Sequence, residues 1–248
     1  MLTKSTIQFL RTLHHKQMRQ EQQLFIAEGM KVITELTPYF TLRTIYVTSE
    51  DLFPDLHPIL ITEQELKKIS CLTTPQKAFA VFEKKTSLLP NPFPSHKWIL
   101  ALDHIADPGN LGTIIRIADW YGIDHILCSQ DCVEAWNPKV VQATMGSLGR
   151  VQVHYGDLLD FFSHTHLPIV ATSLQGSSLD TLPRMDAGIL LMGNESQGIS
   201  KLIQQHSAYQ IKLPSFPHDH SESGAESLNV AVATAICTHL FVTKSHGA

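Results

Sequence analysis

The chain of 248 residues lacks several features that would have settled its class at once. It has no apolar run long enough to cross a bilayer: the longest apolar-rich stretch, Val230 to Val242, is too short and is interrupted by Thr and His. Its first residues, Met1-Leu2-Thr3-Lys4-Ser5, carry no apolar signal-peptide core, so a reduced, cytoplasmic protein is the expectation. The four cysteines, Cys71, Cys128, Cys132 and Cys237, form no C-x-x-C pair. Cys128 and Cys132 therefore read as buried or idle thiols rather than as half of a metal site. A strong charge bias is also missing, because the formal net charge is only −4. The field of the whole molecule does not draw in nucleic acid, and an RNA partner would have to be held by a local basic patch. No G-x-G-x-x-G follows a strand, which disfavours a dinucleotide-dependent dehydrogenase. Internal repeats and low-complexity tracts are absent as well.

What is present is ordinary globular composition, 43% hydrophobic and 17% charged, with length for one or two domains. Residues Ser5 to Leu36 have helical spacing, and their polar faces carry Lys4, Arg11, His14, His15, Lys16, Arg19 and Lys31 against Glu21, Glu28 and Glu35. That cationic excess is the best candidate for phosphate contact; the alternative is a solvated helix face. Thr44 to Val47 and Ile59 to Ile61 read as short buried strands. A helix over Glu63 to Ile69 is expected to be capped by Thr62, with Glu65 completing a capping box. Ala78 to Phe82 supplies another strand. These elements make a small α/β domain, residues 1–88. Three prolines within Pro90-Asn91-Pro92-Phe93-Pro94 then mark a linker, 89–96, that neither a helix nor a central strand tolerates.

From residue 97 to 248 strands and helices alternate. Strands are expected at Trp98–Leu102, Ile123–Cys128, Val151–Val153, Ile169–Ala171, Ile189–Met192 and Tyr209–Leu213. Helices are expected at Leu111–Tyr121, from Pro138 to Leu148, and from Ser227 to Thr243. The alternation predicts an α/β fold with a largely parallel sheet covered on both faces.

Three polar clusters interrupt this pattern. In the second, the strand ending at Met192 breaks into Gly193-Asn194-Glu195-Ser196-Gln197-Gly198-Ile199. Open α/β sheets bind ligands at such strand ends, and Gly193 would let a ligand approach the backbone. The first, Asp103 to Arg116, is a strand, a Pro108-Gly109 turn and a helix start suited to an anion, with Asn110 a candidate N-cap. Taken singly, Asn110 reads as a cap and Arg116 as a surface charge. The third runs from Leu213 through a polar loop with His218, Asp219 and His220 to Ser227-Leu228-Asn229. Ser227 could cap the last helix. Asn229 would lie inside its apolar start, where an amide needs a partner. By spacing alone, the chain is an α/β ligand-binding protein with sites at strand ends.

The three clusters, in this order, resemble the three motifs of the SpoU (TrmH-like) branch of the SPOUT RNA methyltransferases. Asp107-Pro108-Gly109-Asn110-Leu111-Gly112-Thr113-Ile114-Ile115-Arg116 resembles the first motif, Gly193 to Ile199 the second, and Ser227 to Ala233 the third. Asn137-Pro138-Lys139-Val140-Val141 and Gly146-Ser147-Leu148 fit the connecting pattern. Phe25-Ile26-Ala27-Glu28-Gly29 resembles the opening of the ribosomal-protein-like substrate-binding domain of many members. The resemblance spans about residues 97–243 and, more weakly, the first domain.

It implies a carboxyl-terminal domain tied in a deep trefoil knot, an exception to the rule against knots, and an active site completed across a homodimer. It also implies S-adenosyl-L-methionine as cofactor and methylation of a ribose 2′-hydroxyl in ribosomal RNA, with transfer RNA as the alternative substrate; no metal is expected, because the cysteines lack a second pair and the His218-Asp219-His220 loop lacks a supporting ligand cluster. Carried over, Met192, Gly193, Asn194, Gly198, Ile211, Leu213 and Leu228 hold the cofactor, with Thr172, Leu174 and Gly176 helping. Asn110, Arg116, Glu195, Ser227 and Asn229 form the catalytic set. By the resemblance Arg116 activates the hydroxyl. A guanidinium is a poor base at neutral pH, so phosphate clamping and electrostatic activation suit it better. Lys4, Arg11, Lys16, Arg19 and Lys31 are the expected RNA contacts. Two features depart from the pattern: Ser196 replaces a glycine after the glutamate, and the loop Ser215–Glu226 is long and polar. The reading from another class is an RNA-binding or assembly protein that keeps the fold without turnover.

Overall fold

The computed structural model describes residues 1–85, 94–178, 181–216 and 226–246, with side chains to residue 243. The Pro-rich expectation at 88–93 and the His218-Asp219-His220 segment lie outside the described residues. The chain divides into two compact units, Met1–Thr86 with Glu134–Arg150, and Ser87–Val133 with Val151–Ala248.

In the first unit the elements are α1 (Lys4–Thr12), α2 (Lys16–Gln22), β1 (Leu24–Glu28), α3 (Met30–Leu36), β2 (Leu42–Val47), β3 (Ile59–Leu60), α4 (Glu63–Ile69) and β4 (Ala78–Glu83). The strands form a mixed sheet in the order β1-β4-β2-β3. The expected helix over Ser5–Leu36 is therefore three helices and a strand. Gln23, in the left-handed region at φ 53°, stops α2. Leu24 to Glu28 then pairs antiparallel with Glu83 to Phe79, residue by residue. A five-residue apolar run has no period of its own, and pairing with β4 decides its conformation. Thr62 and Glu65 form the expected capping box at the start of α4. Ile59 and Leu60, expected to be buried, are exposed, and only Ile61 enters the core.

In the second unit β5 (Trp98–Leu102), α5 (Pro108–Trp120) and β6 (His125–Ser129) come first. Next in sequence is α6 (Pro138–Thr144), which with the rest of Glu134–Arg150 belongs to the first unit. It ends four residues before the expected Leu148, because Met145 and Gly146 adopt φ 52° and 99°. A Cβ on Gly146 would lie 2.2 Å from Cβ of Glu35, so no larger residue fits this turn. The second unit resumes with β7 (Gln152–Gly156), α7 (Leu158–Ser163), β8 (Ile169–Ser178), β9 (Gly188–Met192), α8 (Lys201–Gln204), β10 (Tyr209–Lys212) and α9 (Val230–His246).

Its six strands are all parallel, in the order β10-β8-β9-β5-β6-β7. The expected α/β architecture with a parallel sheet is what is found. Every residue of β5 and β9 is buried, which explains their unbroken apolar sequences Trp-Ile-Leu-Ala-Leu and Gly-Ile-Leu-Leu-Met. Each of their Leu, Ile and Met side chains contributes about 1.5–3 kcal/mol on leaving water. Leu102 pairs with Met192, so β5 and β9 end side by side, where the first two polar clusters begin. Successive strands run outward in opposite directions from this pair, the kind of crevice in which parallel sheets hold ligands.

Candidate active site

The site belongs to the second unit and is built on three chain breaks: the ends of β5 and β9 and the start of α9. Asp103, fully buried, follows β5, and its N–H donates to the Met192 carbonyl at 2.9 Å. Its carboxylate accepts the Ser200 N–H at 2.8 Å and His104 Nδ1 at 2.7 Å. Both strand-end loops are thus tied to one buried anion, which is tolerable only because its oxygens are hydrogen-bonded. His104 sits at φ 57°, and its carbonyl accepts Asn194 Nδ2 at 3.0 Å. The hydrogen bond that His104 donates to Asp103, aided by the negative charge of Asp103 and Asp131, raises the His104 pKa above its usual 6.5. Sequence reasoning assigned no task to Asp103 or His104. The signal was there in a charged residue placed directly after a fully apolar strand.

The loop after β9 closes on itself. Asn194 and Gly198 exchange backbone hydrogen bonds at 3.1 and 2.9 Å, and Asn194 Oδ1 accepts the N–H groups of Ser196 and Gln197. A Cβ on Gly193 would stand 2.4 Å from the Gly198 carbonyl carbon and the Ile199 nitrogen. A side chain at Gly193 would run into its own loop, so the closure of that loop also requires glycine here.

Two capping assignments also change. Asp107, not Asn110, is the N-cap of α5, accepting the Asn110 N–H at 2.8 Å. With a carboxylate at its N-cap and proline at the first position, α5 is a poor receiver of an anion, contrary to expectation. Ser227 does not cap the last helix, and Asn229 does not lie inside it: α9 starts at Val230, and Asn229 Oδ1 accepts the Ala231 and Val232 N–H groups at 3.0 and 3.3 Å. A cap position is where an asparagine is favoured, so the apparent cost of its amide disappears.

These caps release side chains to meet. Asn229 Nδ2 donates to Asn110 Oδ1 at 2.9 Å, and Asn110 Nδ2 donates to the Glu195 carboxylate. One amide from each of two helix starts and one carboxylate from the β9 loop form an unbroken chain, joining residues up to 119 positions apart in sequence. Arg116 and Ser227 are exposed and make no hydrogen bond to this chain among the described residues. Arg116 lies on the outer face of α5 with Thr113 and Trp120.

Of the residues expected around a cofactor, Met192 and Ile211 are buried in the core and can offer a ligand backbone only. A Cβ on Gly176 would fall 2.4 Å from the Ile211 carbonyl carbon, so this glycine is needed where β8 and β10 shift register. Thr172 Oγ1 reaches the Leu191 carbonyl at 3.4 Å. Leu213 is half-buried, whereas Leu174 and Leu228 are 76% and 47% exposed. Leu174 lies within β8 and Leu228 just before α9, and both leave apolar surface uncovered.

In the first unit, Lys4, Arg11, Lys16 and Lys31 are exposed as a phosphate-binding role requires. Arg19 is not. It is 2% exposed, its Nε donates to Glu134 at 2.7 Å, its Nη2 pairs with the same carboxylate, and its Nη1 donates to the Leu13 carbonyl at 2.8 Å. It holds Glu134 in the unit and, being buried, does not face solvent where RNA would bind. No group of three or more His, Cys, Asp or Glu side chains that could hold a metal occurs among the described residues.

Comparison with known proteins agrees with this geometry. The family model of the SpoU rRNA methylases matches residues 97–239, and that of the MRM3-like substrate-binding domain matches residues 4–80. The 23S rRNA (guanosine(2553)-2′-O)-methyltransferase RlmP of Bacillus subtilis is 28% identical over 237 residues, 92% of each chain. A solved structure from Porphyromonas gingivalis, described as an RNA methyltransferase of the TrmH family, superposes with a TM-score of 0.82 at 34% identity, covering 99% of this chain and 98% of that one. The AdoMet-bound rRNA methyltransferase of Sinorhizobium meliloti superposes with a TM-score of 0.83 at 28% identity, covering 100% and 96%. With both domains matched in order and the three motifs joined at one site, the chain belongs to the SpoU rRNA methylase family.

Proposed function

We propose that the protein methylates a ribose 2′-hydroxyl of ribosomal RNA, using S-adenosyl-L-methionine. The observation that carries this reading is the Asn229–Asn110–Glu195 chain, which brings the three motifs to one place at the ends of β5 and β9. Ribosomal RNA is favoured over transfer RNA by the match of residues 4–80 to a substrate-binding domain and by the names of the relatives. The cofactor supplies a sulfonium methyl, an electrophile that already carries a good leaving group. What remains for the protein is alignment of the hydroxyl and removal of its proton.

Arg116 is the catalytic residue in this reading. It is exposed, and it would hold the RNA phosphate and stabilise negative charge growing on the 2′-oxygen. Asn110 and Glu195 are positioning residues: the carboxylate fixes the amide of Asn110, which fixes that of Asn229 at the start of α9. Ser227, exposed beside Asn229, is free to meet substrate. Leu174, Gly176, Leu213 and Leu228 would enclose the adenosyl group, with backbone from Thr172, Met192, Gly193, Asn194, Gly198 and Ile211.

A homodimer and a carboxyl-terminal trefoil knot belong to the same proposal. The dimer is supported by the apolar surface left exposed on the two helices α5 and α9, which pack on each other: Trp120 on α5 is 84% exposed, and Val232 and Ile236 on α9 form an exposed i, i+4 apolar pair. Arg116 shares that face, so a second copy docking there would bring Arg116 to a composite site. A cytoplasmic location, where ribosomal RNA is met, completes the reading. The experiment is tritium transfer from labelled S-adenosyl-L-methionine to ribosomal RNA, with Arg116→Ala as control. Transfer to RNA that Arg116→Ala abolishes is expected; undiminished activity in the variant removes Arg116 from the mechanism.

A further inference from the structure

In the first unit α1 covers only part of the sheet. Leu10 and Leu13 pack on Ile26, Tyr46, Phe79 and Val81, and beyond them the ends of β1, β2 and β4 are not roofed. A cavity of about 560 Å³ opens there, within the roughly 300–1,000 Å³ range of small-ligand sites. Its floor is apolar, from the nearly buried Leu10, Tyr46 and Val81. Its polar lining is of another kind, from Gln22, Gln23, Arg43, Glu83 and Lys84 beside the aromatic Phe9; Gln23 Nε2 donates to the Gln20 carbonyl at 2.6 Å, which leaves its amide oxygen as the group to face a ligand. Phe9 is 39% exposed although it is an aromatic on a short surface helix. Arg43 and Glu83 face each other at 3.4 Å, both largely solvated, a weak pairing that a ligand can displace.

This set of groups fits one kind of ligand better than others. A nucleobase is flat and apolar on its faces, with donors and acceptors on its edge. An exposed aromatic ring takes the face, amides and a carboxylate read the edge, and a guanidinium meets the flanking phosphate. A duplex offers no such base, because its edges are paired and its faces stacked. We propose that this cavity receives an unpaired nucleobase of the RNA substrate, stacked on Phe9, with Gln22, Gln23 and Glu83 at its edge and Arg43 on the adjoining phosphate. The inference rests on the RNA-methyltransferase reading for the identity of the partner, but it concerns a different unit from the methyl-transfer site.

The test uses the full-length protein without cofactor and a fluorescein-labelled hairpin RNA whose loop carries one 5-iodouridine, beside a fully paired duplex of equal length. Fluorescence anisotropy should show the hairpin bound more tightly than the duplex. Phe9→Ala and Arg43→Ala should each weaken hairpin binding by about 5- to 100-fold, the range of one lost stacking contact, and leave duplex binding unchanged. Irradiation should cross-link the iodouridine to a peptide containing Phe9. Lys67→Ala, which removes an exposed cation outside the cavity, should leave both affinities unchanged. Phe9 and Arg43 are surface residues, so these variants fold, and a retained melting temperature confirms it. Equal affinity for hairpin and duplex, or unaltered hairpin binding in both variants, overturns the proposal. Because cofactor binding and methyl transfer are not read, failure here leaves the catalytic reading standing; calorimetric titration with S-adenosyl-L-methionine tests that separately.

Discussion

The two units differ in charge more than the modest whole-chain value of −4 suggests. The first, Met1–Thr86 with Glu134–Arg150, holds thirteen Lys and Arg against ten Asp and Glu. The second holds six against thirteen. The unit that carries the three motifs is acidic and would repel a polyanion on its own. The basic unit must therefore supply most of the attraction for RNA, as local counterion release requires. On the proposed function, grip falls mainly to the first unit and chemistry to the second, and variants in each test that division.

The largest effect is expected in the first unit. Arg19→Ala leaves Glu134 buried without its cation, which should cost about 3–5 kcal/mol and lower the melting temperature of that unit. Differential scanning calorimetry checks it, and a change below about 1 kcal/mol would show that the pair is not buried in solution. Next is Arg116→Ala, expected to reduce methyl transfer by about 10²–10³-fold while leaving cofactor affinity unchanged and lowering RNA affinity by no more than one lost phosphate contact. A parallel loss of RNA affinity would move Arg116 from chemistry to grip.

A smaller effect is expected from the amide chain. Asn110→Ala and Asn229→Ala should each lower turnover, and the double variant should fall short of their sum by about 0.5–3 kcal/mol, as contacting groups do. Full additivity would mean that the two amides act independently. Smaller still is the salt effect: Arg43→Ala should lower the slope of log affinity against log salt by about one, and the same change at Arg184, in the acidic unit, should not.

The smallest concerns pH. Because Asp103 raises the pKa of His104, the pairing stabilises the second unit fully at pH below 6.5, the ordinary histidine value, and is lost as pH rises through the raised one. The His104 side chain is 42% exposed, so solvent screening keeps the effect small. His104→Gln should flatten the dependence of melting temperature on pH between 5.5 and 8, and an unchanged profile would assign that dependence elsewhere.

Much of the second unit was legible in the sequence because its signals are local. Buried parallel strands read as apolar runs, and a run that stops at Gly-Asn-Glu or at Asp-His marks a strand end. What was not legible depended on partners distant in sequence. Leu24–Glu28 became a strand through pairing with β4, and Arg19 left the surface for Glu134, 115 residues away. The membership of Glu134–Arg150 in the first unit has no mark in composition, so the linear boundary at the proline-rich stretch could not show it. Asn229 was misread by one element boundary. Three residues separate a capping Ser227 from the observed helix start at Val230, and within that interval the asparagine changes from a costly interior amide to the cap itself.

The assignment of chemistry is tested most directly by the site of the methyl group on the product. Ribosomal RNA from cells lacking the protein, incubated with the purified enzyme and S-adenosyl-L-methionine, should afterwards contain one more internucleotide linkage resistant to alkaline cleavage than before, because a 2′-O-methyl group removes the attacking hydroxyl. A methyl group recovered on a base, with every linkage still alkali-labile, would contradict it.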